Sequence, residues 1–349
     1  MFDRVPLQDK INFARHLALI IKAGLPLYQG LSIVRAQTTS AALCRVIDSV
    51  MEDVNNGKFL ADGLEKFEYL FGSFFVNIIR VGEASGTLSK NFLYLAEELK
   101  KSKALKNKVR SAMVYPLVIF VMTLGVTGFL TFFVFPKLLP VFANLNVKLP
   151  LTTVIMIGAL EFLRVYFIHL IVGVIALILG VQMLVKHVTP IKLMVDKLIL
   201  WTPVVGPLAV NVNMVNFTRV FGLLLRSGVK IVEAASITSN TFENLVYRRA
   251  ILAAMEEVKK GGQLATYMAE RKKYFPALMT GMIRVGENTG NLEENLEYLA
   301  EYYEDEVETR LHVLTSVLEP IMLLFMGLLV GFVALSIITP IYSISQGIK

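Results

Sequence analysis

Two glutamates occupy the same short pattern, and they are the residues of this chain whose type and spacing most suggest a functional site. Glu83 lies in Val-Gly-Glu-x-x-Gly-x-Leu, and Glu287 lies in the same pattern 204 residues later. Such a glutamate could contact a partner protein or help to bind a cation. It could also accept hydrogen bonds from the turn that follows, or pair with Arg80 or Arg284 three residues before it. The pattern leaves these alternatives open.

Other positions recur with the same spacing. The pattern glycines are predicted to be backbone positions that need a positive φ or a close helix approach; they are Gly82, Gly86, Gly286 and Gly290. Arg15 and Arg219 are also equivalent, and each could form an ion pair within its domain or a docking contact. Gly24 and Gly228 form a further matched pair.

The motifs of common enzyme classes are absent from the sequence. It holds no Gly-x-x-x-x-Gly-Lys-Ser/Thr phosphate loop, no His-Glu-x-x-His, no Gly-x-Ser-x-Gly and no zinc-type Cys/His spacing. The single cysteine, Cys44, excludes an intramolecular disulfide. We therefore expect no enzyme activity, no cofactor and no metal site.

The composition indicates a membrane protein. Hydrophobic residues make up 55% of the 349 residues, charged residues only 18%, and the mean hydropathy is +0.59. An ordinary soluble domain has about 25% charged residues. The net charge of +7 is attributed to Lys and Arg on the cytoplasmic side of membrane spans, so no nucleic acid partner is expected.

Three apolar segments are long enough to cross a hydrocarbon core of about 30 Å. They are predicted at residues 114–135, 166–185 and 317–339. Glu161 and Arg164 interrupt the second apolar region, and we interpret them as a surface ion pair at the membrane boundary. Residues 136–165 are accordingly predicted to be a periplasmic loop and an interfacial helix, and residues 340–349 a periplasmic tail.

The basic residues next to each span predict the orientation. Six of them lie between residues 100 and 110, before the first span, whereas the following loop has only Lys137 and Lys148. No signal peptide is predicted at the start. The protein is therefore predicted to be a multi-pass protein of the bacterial inner membrane with a cytoplasmic N-terminus and a periplasmic C-terminus.

A duplication organises the chain. Residues 79–97 and 283–301 share 12 of 19 positions, and the same offset of 204 aligns Pro116 with Pro320. Apolar residues in both copies follow a helical period. The fold class predicted is an all-α membrane protein with two homologous cytoplasmic helical bundles, residues 1–113 and 186–316, and three transmembrane helices. The bundles differ in net charge, +5 against zero, so we expect them to bind different partners.

The paired motifs resemble those of the inner-membrane platform proteins of type IV pilus assembly and type II secretion, the secretion protein F family. Tyr115-Pro116, Pro203-x-x-Gly206 and Glu319-Pro320 also follow that family's pattern, and the resemblance covers nearly the whole chain. It implies about six helices in each bundle and a homodimer or higher homo-oligomer. It also implies a platform that couples a hexameric cytoplasmic assembly ATPase to the movement of pilin or pseudopilin subunits, beside other inner-membrane assembly proteins.

Two alternatives remain at this point. The motifs do not separate a type IV pilus from a type II secretion system. A membrane transporter or membrane-embedded enzyme would need polar residues inside the spans, and these spans consist mainly of apolar residues and glycine. Gly327 and Gly331 in the third span have the small-xxx-small spacing that permits close helix packing, and we predict that this face mediates dimerisation.

Overall fold

A computed structural model describes residues 5–137, 140, 150–203 and 205–347 of the protein. These residues form helices joined by short turns. No β-strand occurs in these ranges. The first copy of the duplication contains α1 (Leu7–Lys22), α2 (Leu27–Gln37), α3 (Ala41–Asn55), α4 (Leu60–Glu65), the single-turn α5 (Glu68–Phe71), α6 (Ser73–Ala84) and α7 (Leu88–Ala112). We call this bundle copy 1.

The apolar segments follow. They are α8 (Val114–Phe129), which continues in a π-helical turn (Leu130–Val134), and α9 (Leu151–His187). Next, α10 (Thr189–Trp201) leads into copy 2. Copy 2 contains α11 (Val205–Arg226), α12 (Ile231–Thr241), α13 (Leu245–Lys259), α14 (Leu264–Ala269), α15 (Ala277–Thr289) and α16 (Leu292–Gly347).

The helix boundaries repeat because the capping residues repeat. Both α13 and α14 begin and end 204 residues after α3 and α4. Ser40 caps α3 by accepting a hydrogen bond from the Leu43 N–H at 3.4 Å, and Asn244 caps α13 by accepting one from the Val246 N–H at 2.9 Å. The prediction of two similar helical bundles, with six helices each apart from α5, is confirmed in the described residues.

Aromatic side chains fill the centre of copy 1. The Phe13 ring lies 5.9 Å from that of Phe71 and 6.1 Å from that of Phe92, and Phe13 and Phe92 are almost completely buried. This packing draws α1, α5 and α7 together, because aromatic rings bury large apolar areas and favour tilted contacts. The Phe71 ring also lies 4.7 Å from that of Phe75 on α6, the helix that ends in the motif.

The chain forms two compact units. One combines Met1–Lys108 with Leu193–Arg310, so both bundles belong to it; the other combines Val109–Lys192 with Leu311–Lys349 and holds the apolar helices. In the second unit, Phe135, Met156, Leu160 and Val333 form a buried cluster. Beside it the Thr153 hydroxyl donates a hydrogen bond to the Ser336 carbonyl at 2.9 Å.

Within the described residues, three apolar helices are suited to crossing a membrane. The helical stretches Leu88–Lys137 and Leu292–Pro340 each contain an 18-residue apolar segment of which only 11% is buried. The third is the apolar helix α9. Val205–Arg226 is also long and apolar enough to cross a membrane. However, 61% of its apolar segment is buried inside the protein, so it is a bundle helix. The prediction of three apolar spans is confirmed.

One predicted break is wrong. We predicted that an interfacial helix would end near Arg164 and that a separate span would begin at residue 166, but α9 is one continuous helix of 37 residues. Glu161 and Arg164 are helix formers, and their charges do not interrupt the backbone hydrogen bonds. The Arg164 side chain, residues 138–139 and 141–149 of the predicted periplasmic loop, and residues 348–349 lie outside the described part.

Candidate functional site

The Glu83 carboxylate caps the N-terminus of a neighbouring helix. Its two oxygens accept hydrogen bonds from the backbone N–H groups of Leu60 at 2.7 Å and Ala61 at 3.0 Å, which begin α4. The first N–H groups of a helix have no partner inside it, and a negative charge there also interacts favourably with the helix dipole. Glu83 therefore fixes the end of α6 against the start of α4.

Copy 2 repeats this cap with the same geometry. The Glu287 oxygens accept hydrogen bonds from the N–H groups of Leu264 at 2.7 Å and Ala265 at 3.0 Å. Two of the alternatives left open for Glu83, hydrogen bonds from the following turn and a pair with Arg80, are replaced by the donors Leu60 and Ala61. Arg80 pairs instead with Glu65, at 2.8 Å.

The first motif glycine lies against a buried asparagine. A Cβ atom at Gly82 would lie 2.8 Å from Asn91 Nδ2, which is shorter than the contacts that real Cβ atoms make. The Asn91 amide donates a hydrogen bond to the Ile78 carbonyl at 3.0 Å and so connects α6 with α7. The predicted need for a close helix approach is met at this position.

The equivalent contact in copy 2 has the same parts. A Cβ atom at Gly286 would lie 2.8 Å from the Leu292 Cα atom, and Asn295 donates to the Met282 carbonyl at 3.1 Å. Sequence reasoning missed both asparagines, although their identity at equivalent positions of the two copies was a usable signal.

The remaining matched glycines have left-handed backbone conformations. At the end of the motif helices, φ is +69° at Gly86 and +77° at Gly290; after α1 and α11 it is +85° at Gly24 and +88° at Gly228. A side chain is disfavoured in this region, so these glycines are turn positions. Their predicted role as partner contacts stays a prediction.

Arg219 connects the two copies. Its guanidinium forms an ion pair with Glu304 of copy 2 and lies 3.7 Å from the carboxylate of Glu98 on α7 of copy 1. The ion pair within its own domain that we considered for Arg219 is present, and Arg219 also contacts the other domain. The docking contact with a partner stays a prediction. The equivalent Arg15 is half-buried and forms no ion pair with another described residue.

A charged cleft of about 110 Å³ lies at this contact, between α7, α11 and α16. Its charged lining residues are Glu97, Glu98, Lys101, Arg219, Arg226, Glu293, Glu297 and Glu301. Burial raises the pKa of the Glu98 carboxyl, while the charges of Arg219 and Lys101 act in the opposite direction. In this cleft the Arg219–Glu98 pair joins the two domains, and the Arg226–Glu297 pair lies within copy 2.

The arrangement offers structural contacts and no reactive centre among the described residues. Both oxygens of Glu83 and of Glu287 accept backbone hydrogen bonds, which argues against the cation that we considered for them. No group of three or more His, Cys, Asp or Glu that could hold a metal ion is found there. Cβ atoms at Gly327 and Gly331 would meet nothing within 4 Å, so the dimerising role of that face stays a prediction.

The family comparison gives the same repeat. A family model described as "Type II secretion system (T2SS), protein F" matches residues 13–136 and again residues 217–340. The chain belongs to this family. The two matches differ by the offset of 204 that aligns the capping glutamates, so each T2SS protein F domain comprises one bundle and the span that follows it.

Characterised relatives come from both branches of the family. The chain is 34% identical over 339 residues to "Type IV pilus assembly protein PilC" of Thermus thermophilus, covering 97% of this chain and 83% of the relative. It is 32% identical over 348 residues to the Myxococcus xanthus protein of the same name, covering 100% and 83%. It is 30% identical over 285 residues to "Type II secretion system protein F" of Vibrio cholerae, covering 82% and 70%. The protein is thus a multi-pass inner-membrane platform component of pilus or secretion machinery.

Proposed function

We propose that this protein is the inner-membrane platform that couples a hexameric cytoplasmic assembly ATPase to the movement of pilin or pseudopilin subunits. In this proposal both bundles lie in the cytoplasm, the N-terminus is cytoplasmic and the C-terminus periplasmic. The chain itself performs no catalysis. It acts beside the other inner-membrane proteins of the machine.

The observation that carries this proposal is helical continuity between bundle and span. α16 runs from Leu292 to Gly347 as one helix, and it contains both the Asn295 contact of copy 2 and the third apolar span. In copy 1, α7 ends at Ala112 and α8 begins at Val114. A motion imposed on a bundle would reach the membrane helix through a helical backbone, which is stiffer along its axis than a loop.

The bundles are suited to receive such a force because their short helices are fixed. Glu83 and Glu287 tie α4 and α14 to the motif helices, and Asn91 and Asn295 tie those helices to α7 and α16. Buried, hydrogen-bonded polar groups resist local opening. The glycine and glutamate positions of the family motif therefore support stiffness in both domains.

The difference in charge supports different partners for the two bundles. The basic copy 1 would face lipid head groups or an acidic protein surface, and copy 2 would face another partner. Replacing copy 2 with a second copy 1 should abolish pilus assembly or secretion. Full activity of that chimaera would refute the division of roles.

The coupling is tested by site-specific photo-crosslinking in the native membrane. Crosslinkers at Tyr69 of copy 1 and at Leu278 of copy 2, both exposed, should capture different proteins, one of them the ATPase. Crosslinkers at exposed span residues such as Leu328 should capture a pilin-like subunit. Reporter fusions after residues 113 and 316 should both report the cytoplasm. Fusions that report opposite compartments would overturn the proposal.

A further inference from the structure

The two bundles associate head to tail, through different faces. The α6–α7 face of copy 1 contacts the α11–α12 face of copy 2. In this contact the Arg226 guanidinium lies over the Tyr94 ring, 5.0 Å from its centroid. We call the contact between these two faces the internal joint.

The duplication gives each face of the internal joint an equivalent on the other copy. The equivalent of the α6–α7 face is the α15–α16 face of copy 2, and the equivalent of the α11–α12 face is the α1–α2 face of copy 1. An isologous contact, with a twofold relation between the copies, would cover all four faces. The burial of their side chains shows which faces are covered.

The two equivalent faces are open. On the α1–α2 face, Ile33 is 38% exposed, whereas its equivalent in the internal joint, Ile237, is 7% exposed. Leu19 is 54% exposed, whereas its equivalent Leu223 is half-buried. The α1–α2 face therefore leaves exposed the apolar side chains whose equivalents on copy 2 are buried or half-buried in the internal joint.

The same asymmetry holds at the other end of the chain. On the α15–α16 face, Val285 is 51% exposed and Tyr298 is 56% exposed. Their equivalents Val81 and Tyr94 are half-buried. The internal joint is thus heterologous. It leaves the α1–α2 face of copy 1 and the α15–α16 face of copy 2 uncovered, and we call these two the unused faces.

The unused faces retain the chemistry of the internal joint. Arg226 corresponds to Lys22, and Tyr94 corresponds to Tyr298, so the cation and the ring are both preserved. Their charges are also complementary. Lys22 is an exposed cation of α1, and Asp305 is an exposed acid of α16 two turns after Tyr298.

We propose that the α1–α2 face of one protomer binds the α15–α16 face of a second copy of this chain, with Lys22 of one protomer over Tyr298 of the other. The interface repeats the internal joint between molecules. A heterologous contact leaves one free face on each added protomer, so protomers are added until the last one binds the first and a ring is complete. Protomers that share one membrane orientation therefore form a cyclic oligomer. This surface is independent of the proposed ATPase coupling, and its failure would leave that proposal standing.

Cysteine crosslinking between two tagged full-length proteins tests the interface. In a Cys44→Ala background, one protein carries Lys22→Cys and the other carries Tyr298→Cys, and both are co-expressed in native membranes. A short thiol crosslinker should give a dimer that contains both tags. Tyr94→Cys with Arg226→Cys in one chain is the positive control and should close within that chain. Tyr69→Cys, at an exposed residue of α5, a helix that belongs to neither face, replaces Lys22→Cys as the negative control.

Each outcome decides the question. A mixed-tag dimer from Lys22→Cys and Tyr298→Cys, absent with Tyr69→Cys, supports the interface. The interface is wrong if the positive control closes and no mixed-tag dimer forms. It is also wrong if both single variants are crosslinked to another protein of the membrane. A variant that carries Lys22→Cys and Tyr298→Cys in one chain would also contradict the interface if its crosslinks form only within that chain.

Self-association of the purified protein gives a second readout. Lys22→Glu and Tyr298→Ala should each weaken association in detergent about tenfold, since each removes the cation–ring contact. The melting temperature of each variant should match that of the parent protein. Unchanged association of both variants would contradict the interface even if crosslinking succeeded.

Discussion

The Arg219 guanidinium of copy 2 lies 3.7 Å from the Glu98 carboxylate of copy 1. Arg219 is only 7% exposed, and it also pairs with Glu304 of its own copy. Removing one member of a buried ion network leaves the other charges without compensation. This contact therefore links the stability of copy 2 to its association with copy 1.

Arg219→Ala should destabilise the bundles by about 3 kcal/mol at neutral pH. Burial holds the pKa of Glu98 above its ordinary value, and the loss of Arg219 would raise it further. A carboxyl with a raised folded-state pKa is protonated more readily in the folded protein, so folding gains stability as the pH falls through that pKa. The defect of Arg219→Ala should accordingly shrink on acidification.

Thermal unfolding in detergent, followed by emission of the sole tryptophan, Trp201, measures this effect. Arg226→Ala is the control because Arg226 is exposed, and its loss should cost about 1 kcal/mol or less. An Arg219→Ala defect that stays constant from pH 7 to pH 5 would contradict the role given to Glu98.

Glu83→Gln should destabilise copy 1 by about 1–2 kcal/mol, because it replaces a charged double acceptor at the start of α4 with an amide. Glu287→Gln should do the same in copy 2. Chemical unfolding monitored by circular dichroism gives the magnitude. Glu65→Gln breaks only the exposed pair with Arg80, so it should change stability by less than about 0.5 kcal/mol. Equal effects of Glu83→Gln and Glu65→Gln would refute the cap.

Gly82→Ala should cost about 1–3 kcal/mol, because the added methyl group would overlap Asn91. Gly281→Ala is the matched substitution, since it too lies in a motif helix but its Cβ would meet nothing within 4 Å. It should raise stability by up to about 1 kcal/mol through helix propensity. Melting temperatures that fall equally for both variants would show that the Asn91 contact is unimportant.

Asp53 should make the stability of copy 1 depend on acid pH. Hydrogen bonds from Lys66 and Lys58 lower the pKa of its buried carboxyl below the ordinary value. A carboxyl of this kind contributes stability above its unfolded pKa, about 3.9, and loses it as the pH falls through the lower folded-state pKa. Asp53→Asn should therefore be less stable at neutral pH and should show a flatter decline below about pH 4.

Unfolding curves recorded from pH 2 to pH 7 test the Asp53 effect. Asp48→Asn, which breaks an exposed pair with Arg35, is the control. If Asp53→Asn follows the parent protein across the whole range, the ion pairs with Lys58 and Lys66 contribute nothing to the folding equilibrium.

Much of the architecture could be predicted because it depends on patterns along the chain. The common offset of Glu83 and Glu287 predicted two equivalent bundles, and uncharged runs predicted the spans. The break placed near Glu161 was wrong because helix continuity depends on backbone hydrogen bonds, which a charged side chain does not interrupt. The partners of Glu83 could not be predicted, since Leu60 lies 23 residues earlier and only packing brings the two together.

The sequence alone determined the duplication, the helical period, the apolar spans and the family motif, since each depends only on residue type and spacing along the chain. Only the tertiary structure decided that Glu83 caps α4, that Asn91 fills the space beside Gly82, and that the copies join head to tail. Those facts depend on distances between segments far apart in sequence. Two copies with nearly the same pattern can therefore bury one face and leave its equivalent open.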